Sequence, residues 1–175
     1  MVDHQKRMTS AQPSDAELLA ECNVQTYRAS GPGGQNRNKV ETAVRLRHQP
    51  TGITVIATES RSQAENKMRA LRRLRTALAL RVRHPVESPE IAAPITAVIG
   101  TNGRLSVGRR DARYLPAASA VLDILAAMEG SISATAQQMG ITSANLSGFL
   151  TGDDDVMAEA NRVRAQFGLK PLRRT

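Results

Sequence analysis

The triplet Gly33-Gly34-Gln35 lies inside a run of glycine, proline, amide and basic residues that extends from Arg28 to Lys39. Three glycines around Pro32 allow positive φ angles and let bare backbone approach a ligand closely. Gln35 adds an uncharged amide between flanking cations. Such a segment suits a polyanionic cavity in which a backbone N–H must be placed. The four residues Gly-Pro-Gly-Gly, taken alone, are also compatible with an ordinary surface turn.

Single residues exclude two phosphate-binding motifs. The Walker motif has glycine before its lysine, but Asn38 precedes Lys39, and the dinucleotide motif needs glycine where Asn36 stands. The segment has no neighbouring Ser/His/Asp set and no paired carboxylates. Because Cys22 is the single cysteine, we expect no intrachain disulfide, no metal site and no cofactor. The chemical group that remains is the main-chain N–H of Gln35, which could face negative charge that develops in a reaction.

The flanking sequence predicts the elements that position this segment. Val24–Arg28 and Ala43–His48 alternate apolar and polar residues, as half-buried strands do. Pro50-Thr51-Gly52 predicts a turn, and the β-branched run Ile53–Ala57 completes a small antiparallel sheet.

A long helix is predicted from Gln63 to about Arg83, ended by Pro85. Ser62 should cap it, with Glu65 three residues later as in a capping box. The apolar stripe expected to face the sheet consists of Ala64, Met68, Leu71, Leu74 or Arg75, Leu78 and Val82.

From Tyr27 to Leu78 the sequence resembles the GGQ domain of the class-I peptide-chain release factors and their ribosome-rescue relatives. The shared features, in order, are the triplet, Ala43-Val44-Arg45, Pro50-Thr51-Gly52, an apolar strand, Arg61-Ser62-Gln63 and a long basic helix. The triplet alone is weak evidence, and its companions make the resemblance specific. It implies an α+β fold, with a small antiparallel β-sheet packed on a long basic helix.

In that family the loop enters the ribosomal peptidyl-transferase centre and promotes attack of water on the ester of peptidyl-tRNA. The resemblance implies that Gly33 and Gly34 set the backbone geometry. It also implies that the Gln35 N–H stabilises the transition state and leaving group, while its side chain admits water and excludes larger nucleophiles. Gln35 is a candidate for methylation by a glutamine methyltransferase. Arg37 departs from the family pattern, which has a small or apolar residue there.

The charge is concentrated in the first half of the chain. Residues 1–85 hold 15 Lys and Arg against 7 Asp and Glu, whereas residues 86–175 hold 9 of each. A solvated helix face is the alternative, but so few balancing acids favour binding of an RNA backbone, here 23S-type rRNA of the large subunit. With two Phe, two Tyr and no Trp, base stacking is not expected. The candidate RNA-binding residues are Arg28, Arg37, Asn38, Lys39, Arg45, Arg47, Arg61, Lys67, Arg72 and Arg73.

The N-terminal part predicts the subfamily. Residues 1–22 are expected to form a polar leader with a short helix, Asp15–Glu21, capped by Ser14. Residues 23–85 would then form the GGQ domain. Since a codon-reading domain does not fit into this leader, we expect codon-independent release from stalled ribosomes or separated large subunits. A ribosome-splitting factor is a further candidate partner.

The C-terminal region is predicted to be mostly helical. Residues 86–94 are interpreted as a linker, and residues 95–107 as a hairpin around Asn102-Gly103. A helix is expected over Ala117–Met128, followed by a helix-turn-helix pattern at 133–150 with Gly140 in the turn. A short basic tail ends the region 95–175. The pattern is typical of nucleic-acid-binding modules, but Ser143–Leu150 has no basic residue, so a helical bundle or a protein-docking role is favoured.

Two functions from different classes remain. The first is a ribosome-dependent peptidyl-tRNA hydrolase. The second is a non-catalytic RNA- or DNA-binding protein that keeps the GGQ fold as a scaffold and acts through its C-terminal module. The intact triplet favours the first. No apolar run approaches ~18 residues and no secretory signal precedes residue 20, so a cytoplasmic protein without a membrane partner is expected.

Overall fold

The computed structural model describes residues 13–28, 40–86 and 92–174. The chain divides into two compact units, residues 1–78 and 79–175, and each is treated by itself. The finer division predicted from the sequence, with a linker at 86–94, remains a prediction because residues 87–91 lie outside the described ones.

The first unit contains two helices and one sheet. In chain order its elements are α1 (Asp15–Ala20), β1 (Cys22–Tyr27), β2 (Ala43–His48), β3 (Thr54–Ala57) and α2 (Gln63–Arg81), whose last turn crosses the boundary at residue 78. The three strands are antiparallel in the order β1-β2-β3. This sheet and α2, together with the helices of the C-terminal region, confirm the predicted α+β fold.

Helix α1 begins at a capping box. The Ser14 hydroxyl oxygen accepts a hydrogen bond from Glu17 N at 3.2 Å, and the Glu17 carboxylate accepts one from Ser14 N at 2.8 Å. These bonds satisfy N–H groups that a helix start leaves unpaired. The helix buries Leu18 in the core of the unit.

The inner face of the sheet forms that core. Val44 and Leu46 of β2 pack with the α2 residues Ala70, Leu71 and Leu74. Strand β1 differs from its prediction, because it begins at Cys22 and that residue alone among its six is buried. Since β1 is an edge strand, its apolar residue Val24 remains 41% exposed.

The predicted stripe of α2 is partly wrong. Ala64 and Met68 are exposed, whereas Asn66 and Ala70 are buried completely. The helix turns its small and amide residues toward the sheet, which a search for apolar residues alone does not detect. The predicted cap is confirmed, since the Ser62 hydroxyl accepts from Glu65 N at 3.3 Å.

The second unit is helical. Its elements are α3 (Ala93–Thr96), α4 (Tyr114–Ala127), α5 (Ile132–Gln138), α6 (Ser143–Thr151) and α7 (Asp154–Gln166). Helices α4 and α7 contribute half of its buried core residues, with Leu122 and Leu125 completely buried. The predicted helix-turn-helix is present as α5 and α6, and Gly140 between them has φ of 66°.

The hairpin predicted at 95–107 is reduced to a single bridge, between Ile99 and Leu105. Ile95 lies in α3 instead of a strand, because Pro94 favours the first turn of a helix. Gly103 has a positive φ of 65° but Asn102 does not, so the turn is not of the expected type I′.

Helix α7 was not predicted. Its start is the acidic run at 153–155, where the Asp153 carboxylate accepts from the N–H groups of Asp155 and Val156. Val156, Ala160 and Val163 are buried at helical spacing. These two signals together would have identified the helix.

Within the described parts of the chain, no single helix is long and apolar enough to cross a membrane. Helices α4 and α5 reach that length and hydropathy only as a pair, and they meet at a bend of 118°.

Candidate functional site

The triplet Gly33-Gly34-Gln35 belongs to the connection between β1 and β2. Tyr27 and Ala43 pair across the two strands, so the sheet brings the two ends of this connection together. Gly33, Gly34 and Gln35 lie outside the described residues, as do Arg37, Asn38 and Lys39. Their roles therefore stay predictions. The structure describes the two strand ends that flank the connection.

Helix α2 holds the returning end of this connection through two amide side chains. Gln63 Nε2 donates to the Glu41 carbonyl oxygen at 3.3 Å, and Asn66 Nδ2 donates to the Thr42 carbonyl oxygen at 2.7 Å. Asn66 also makes two hydrogen bonds with the backbone of Ser60. Its Nδ2 donates to the Ser60 carbonyl oxygen at 2.8 Å, and its Oδ1 accepts from the Ser60 N–H at 2.9 Å. Asn66 was not among the predicted site residues, although an amide four residues before Ala70 on a buried helix face is a detectable signal.

The departing end of the connection carries a weak ion pair and a cation–π contact. Arg28 Nε lies 3.9 Å from a carboxylate oxygen of Glu41, and both side chains are more than half exposed. Such a pair contributes little to stability. The guanidinium of Arg45 lies 5.2 Å from the centre of the Tyr27 ring. This contact keeps the Arg45 cation beside the last residue of β1.

Two predicted RNA-binding residues lie on the outer face of the sheet. Arg45 and Arg47 alternate with the buried residues of β2 and are exposed. Because side chains alternate across a strand, both arginines lie on the face opposite α2. Their neighbours on β3, Ile56 and Thr54, are also exposed. This face presents two cations and no acid from the three strands.

The predicted RNA-binding residues near or on α2 fall into two groups. Arg61, Lys67 and Arg72 are exposed and form no hydrogen bond or ion pair with any residue in the described part of the chain. Arg73 instead donates to the Ile56 carbonyl oxygen and to the Glu59 carboxylate. The hydrogen bond from Arg73 lowers the pKa of Glu59. Arg73 thus ties α2 to β3, and its guanidinium is already occupied.

His48 and Cys22 are structural. His48 is 6% exposed, with Nε2 3.0 Å from the Glu21 carboxylate and Nδ1 2.8 Å from the Thr51 hydroxyl. The Cys22 thiol donates to the Leu18 carbonyl oxygen at 3.1 Å, and burial raises its pKa. A raised pKa makes a thiol a poorer nucleophile at neutral pH. Among the described residues, no group of three His, Cys, Asp or Glu side chains is arranged to hold a metal ion.

The second unit has a groove of about 1090 Å³ between the loop 102–109 and α6. Asn145 of α6 fixes this loop, accepting from Leu105 N at 2.8 Å and donating to its carbonyl oxygen at 3.1 Å. Arg109 pairs with Asp153 at 3.3 Å. The side-chain amide of Asn145, on the predicted recognition helix, is therefore already hydrogen-bonded within the second unit.

Residues 18–112 match the family model described as the RF-1 domain. That is more than half of the 175 residues, and it includes the sheet, α2 and the connection that carries the triplet. The chain therefore belongs to the class-I release-factor family.

Individual relatives match parts of the chain. Peptide chain release factor 1 of Chloroherpeton thalassium is 49% identical over 72 residues, which are 41% of this chain and 20% of that protein. Peptide chain release factor 1 of Thermotoga maritima is 44% identical over 91 residues, or 51% of this chain and 26% of that protein. Peptide chain release factor PrfB1, chloroplastic, of Arabidopsis thaliana is 65% identical over 51 residues, or 29% and 11%. The chain thus spans about a quarter or less of the length of these relatives.

Proposed function

We propose that this protein promotes hydrolysis of the peptidyl-tRNA ester in the peptidyl-transferase centre of the large ribosomal subunit. The observation that carries the proposal is the intact Gly33-Gly34-Gln35 in a chain of the release-factor family. The pairing of Tyr27 with Ala43 supports it, because this pairing holds together the two ends of the connection that carries the triplet.

The chemistry assigned to Gln35 is electrostatic. Water attacks the ester carbonyl carbon, the bond to the tRNA 3′ oxygen breaks, and that oxygen leaves with a proton while the peptide acid is released. The Gln35 N–H donates to the charge that forms, and its side chain admits water. Ribosomal RNA and the tRNA 2′-hydroxyl supply the rest of the site. Removal of one such donor costs roughly 10²–10³ in rate in other enzymes.

The finer part of the proposal is that release does not depend on a codon and serves stalled ribosomes or split large subunits in the cytoplasm. The matches make up 20% and 26% of the length of two relatives. A ribosome-splitting factor and a glutamine methyltransferase acting on Gln35 are proposed as further partners.

RNA binding is assigned to the cations without internal partners. Arg47, Arg61, Lys67 and Arg72 are exposed and unpaired within the described residues, so their charge is free for the rRNA backbone. Within the described residues, Arg28 and Arg45 make weak contacts with Glu41 and with the Tyr27 ring. Arg37, Asn38 and Lys39 complete the proposed surface, whereas Arg73 is assigned a structural role.

The test is peptide release from ribosomes that carry labelled peptidyl-tRNA on an mRNA truncated at the P site. A stop-codon complex, a sense-codon complex and isolated large subunits with the same peptidyl-tRNA are measured in parallel. Release from the truncated complex or from large subunits, without a stop codon, supports the proposal. Release that requires a stop codon would contradict its codon-independent part.

Two variants of one residue separate the proposed roles. Gln35→Pro removes the main-chain N–H and should lower the release rate by about 10² or more while ribosome binding persists. Gln35→Ala keeps that N–H and tests the side chain. Full activity in Gln35→Pro would make the catalytic assignment wrong. Binding by the wild-type protein without release on any complex would favour the non-catalytic scaffold.

A further inference from the structure

The returning end of the β1–β2 connection is held by two side chains one helical turn apart. Gln63 and Asn66 lie on the same face of α2, since residues at i and i+3 are neighbours on a helix. They donate to consecutive carbonyl oxygens, those of Glu41 and Thr42. Thr42 directly precedes β2. The helix start therefore fixes the backbone at the point where the connection re-enters the sheet.

The Asn66 amide is fully committed to this arrangement. The residue has no exposed surface, both hydrogens of its NH₂ group meet carbonyl oxygens, and its oxygen accepts from Ser60 N. A buried polar group with every bond made holds one orientation, because any rotation would leave a donor or acceptor unpaired. One side chain thus joins the β1–β2 connection, the β3–α2 connection and α2.

Resting on the proposed function, we propose that Asn66 is a positioning residue for hydrolysis at Gln35. It acts through the Thr42 carbonyl, seven residues beyond Gln35, by setting the place where the connection re-enters the sheet. Tyr27 fixes the other end by pairing with Ala43. A release catalyst that works by placing one N–H depends on sub-ångström placement, and a displacement of 1 Å can cost about 10²-fold in rate.

The decisive variant is Asn66→Asp. It preserves size and the oxygen that accepts from Ser60 N, but it turns a second oxygen toward the carbonyls of Thr42 and Ser60. We expect the release rate constant at saturating protein to fall about tenfold to hundredfold. The protein concentration that gives half-maximal release should stay within about twofold of wild type, because no expected RNA contact is removed.

A second readout separates displacement of the loop from a smaller folded fraction. With hydroxylamine present, its nitrogen competes with water for the ester carbonyl and yields a peptide hydroxamate while the tRNA leaves. A displaced Gln35 should raise the hydroxamate-to-acid ratio in Asn66→Asp. A smaller folded fraction lowers the amount of both products and leaves their ratio unchanged.

Two control variants match the change in different ways. Ser62→Ala removes the cap of the same helix without touching either carbonyl, so it controls for stability of the α2 start. Asn161→Asp makes the same chemical change at another amide, which donates to the carbonyl oxygen of Leu172 and accepts from its N–H. Both should release peptide with the wild-type rate constant at temperatures below their unfolding transitions.

The outcomes separate this inference from the function on which it rests. If the wild type releases peptide and Asn66→Asp does so equally fast, the positioning role is wrong and the proposed function stands. A wild type that releases nothing overturns both. Should Asn66→Asp fail to fold, Gln63→Ala carries the test, because it removes only the bond to Glu41. A severalfold lower rate constant supports the role, and a wild-type value contradicts it.

Discussion

The imidazole Nε2 of His48 lies 3.0 Å from the carboxylate of Glu21. This contact joins the end of β2 to the residue between α1 and β1. A carboxylate only accepts, so Nε2 carries the proton toward it, and Nδ1 lies 2.8 Å from the Thr51 hydroxyl oxygen. The ring thereby links two connections on one side of the sheet. Because His48 is buried, its role is structural.

His48→Ala should therefore destabilise the first unit. The variant leaves a cavity and deprives Thr51 of its partner, and we expect a loss of about 2–3 kcal/mol in the free energy of unfolding. Urea denaturation measures it. Gln49→Ala changes the exposed neighbour and should stay within about 0.5 kcal/mol of wild type. Equal stability of the two variants would mean that the His48 bonds contribute nothing.

Arg72 and Arg73 are adjacent on α2 but should respond to replacement in opposite ways. Arg73→Ala removes two hydrogen bonds to β3 and its connection, so we expect a loss of about 1 kcal/mol in stability. Arg72→Ala removes an exposed cation without a partner in the described residues, so stability should not change. Ribosome affinity should instead fall, with a shallower dependence on salt concentration.

Binding titrations at several salt concentrations, with thermal melts of the same samples, check both expectations. The two variants remove equal charge, so a nonspecific effect of net charge predicts equal loss of affinity. A stability loss in Arg72→Ala larger than in Arg73→Ala would contradict the assignment.

Asp123 gives the second unit an unusual pH dependence. Burial raises the pKa of this carboxyl group although Arg83 and His84 face it at 2.9 Å and 3.4 Å. The folded state therefore binds the proton more tightly than the unfolded state does. The stability that protonation supplies is present below the unfolded pKa, near ~4, and is lost as the pH rises through the higher folded pKa.

Comparison with Asp123→Asn isolates this effect. As the pH is raised from about 3 to 7, wild type should lose unfolding free energy relative to the variant. An ion pair that dominated the carboxyl would lower its pKa and give the opposite slope. Chemical denaturation across this range, followed by helical circular dichroism, distinguishes the two signs.

Gly130 and Gly140 offer a matched pair of left-handed residues, with φ of 76° and 66°. A Cβ at Gly130 would lie 3.1 Å from the Cα of Arg164, whereas a Cβ at Gly140 meets no atom within 4 Å. Gly140→Ala should cost about 1–2 kcal/mol through backbone strain alone. Gly130→Ala adds overpacking of roughly 1–3 kcal/mol. Thermal denaturation should therefore rank Gly130→Ala as the less stable variant, and the reverse order would contradict the packing seen here.

Local signals were sufficient for several elements. Helix α1 is capped by Ser14 because the capping box is complete within four residues, and β2 matches its prediction because buried and exposed residues alternate from Val44 to His48. The turn at Gly140 followed from the one residue type that adopts positive φ readily. Each of these depends on neighbours in the sequence.

Two of the failures involve partners distant in sequence. The inner face of α2 was misplaced because Asn66 is buried by bonds to Thr42 and Ser60, and hydrophobic periodicity gives no weight to an amide. The internal partners of Arg73 were not predicted either, because its bond to Ile56 crosses 17 positions. Tertiary pairing explains these two cases. Helix α3 has a local cause, since Pro94 favours the first turn of a helix and replaced the predicted strand.

The single cysteine has a practical consequence. Cys22 is nearly buried, its thiol is bonded to Leu18, and burial raises its pKa, so it is shielded from thiol-directed reagents. A cysteine introduced at an exposed position, such as Gln49 in the first unit or Thr101 in the second, would then be the thiol that reacts. A fluorescent or spin label can therefore be attached to an introduced cysteine without first replacing Cys22 in the core of the first unit.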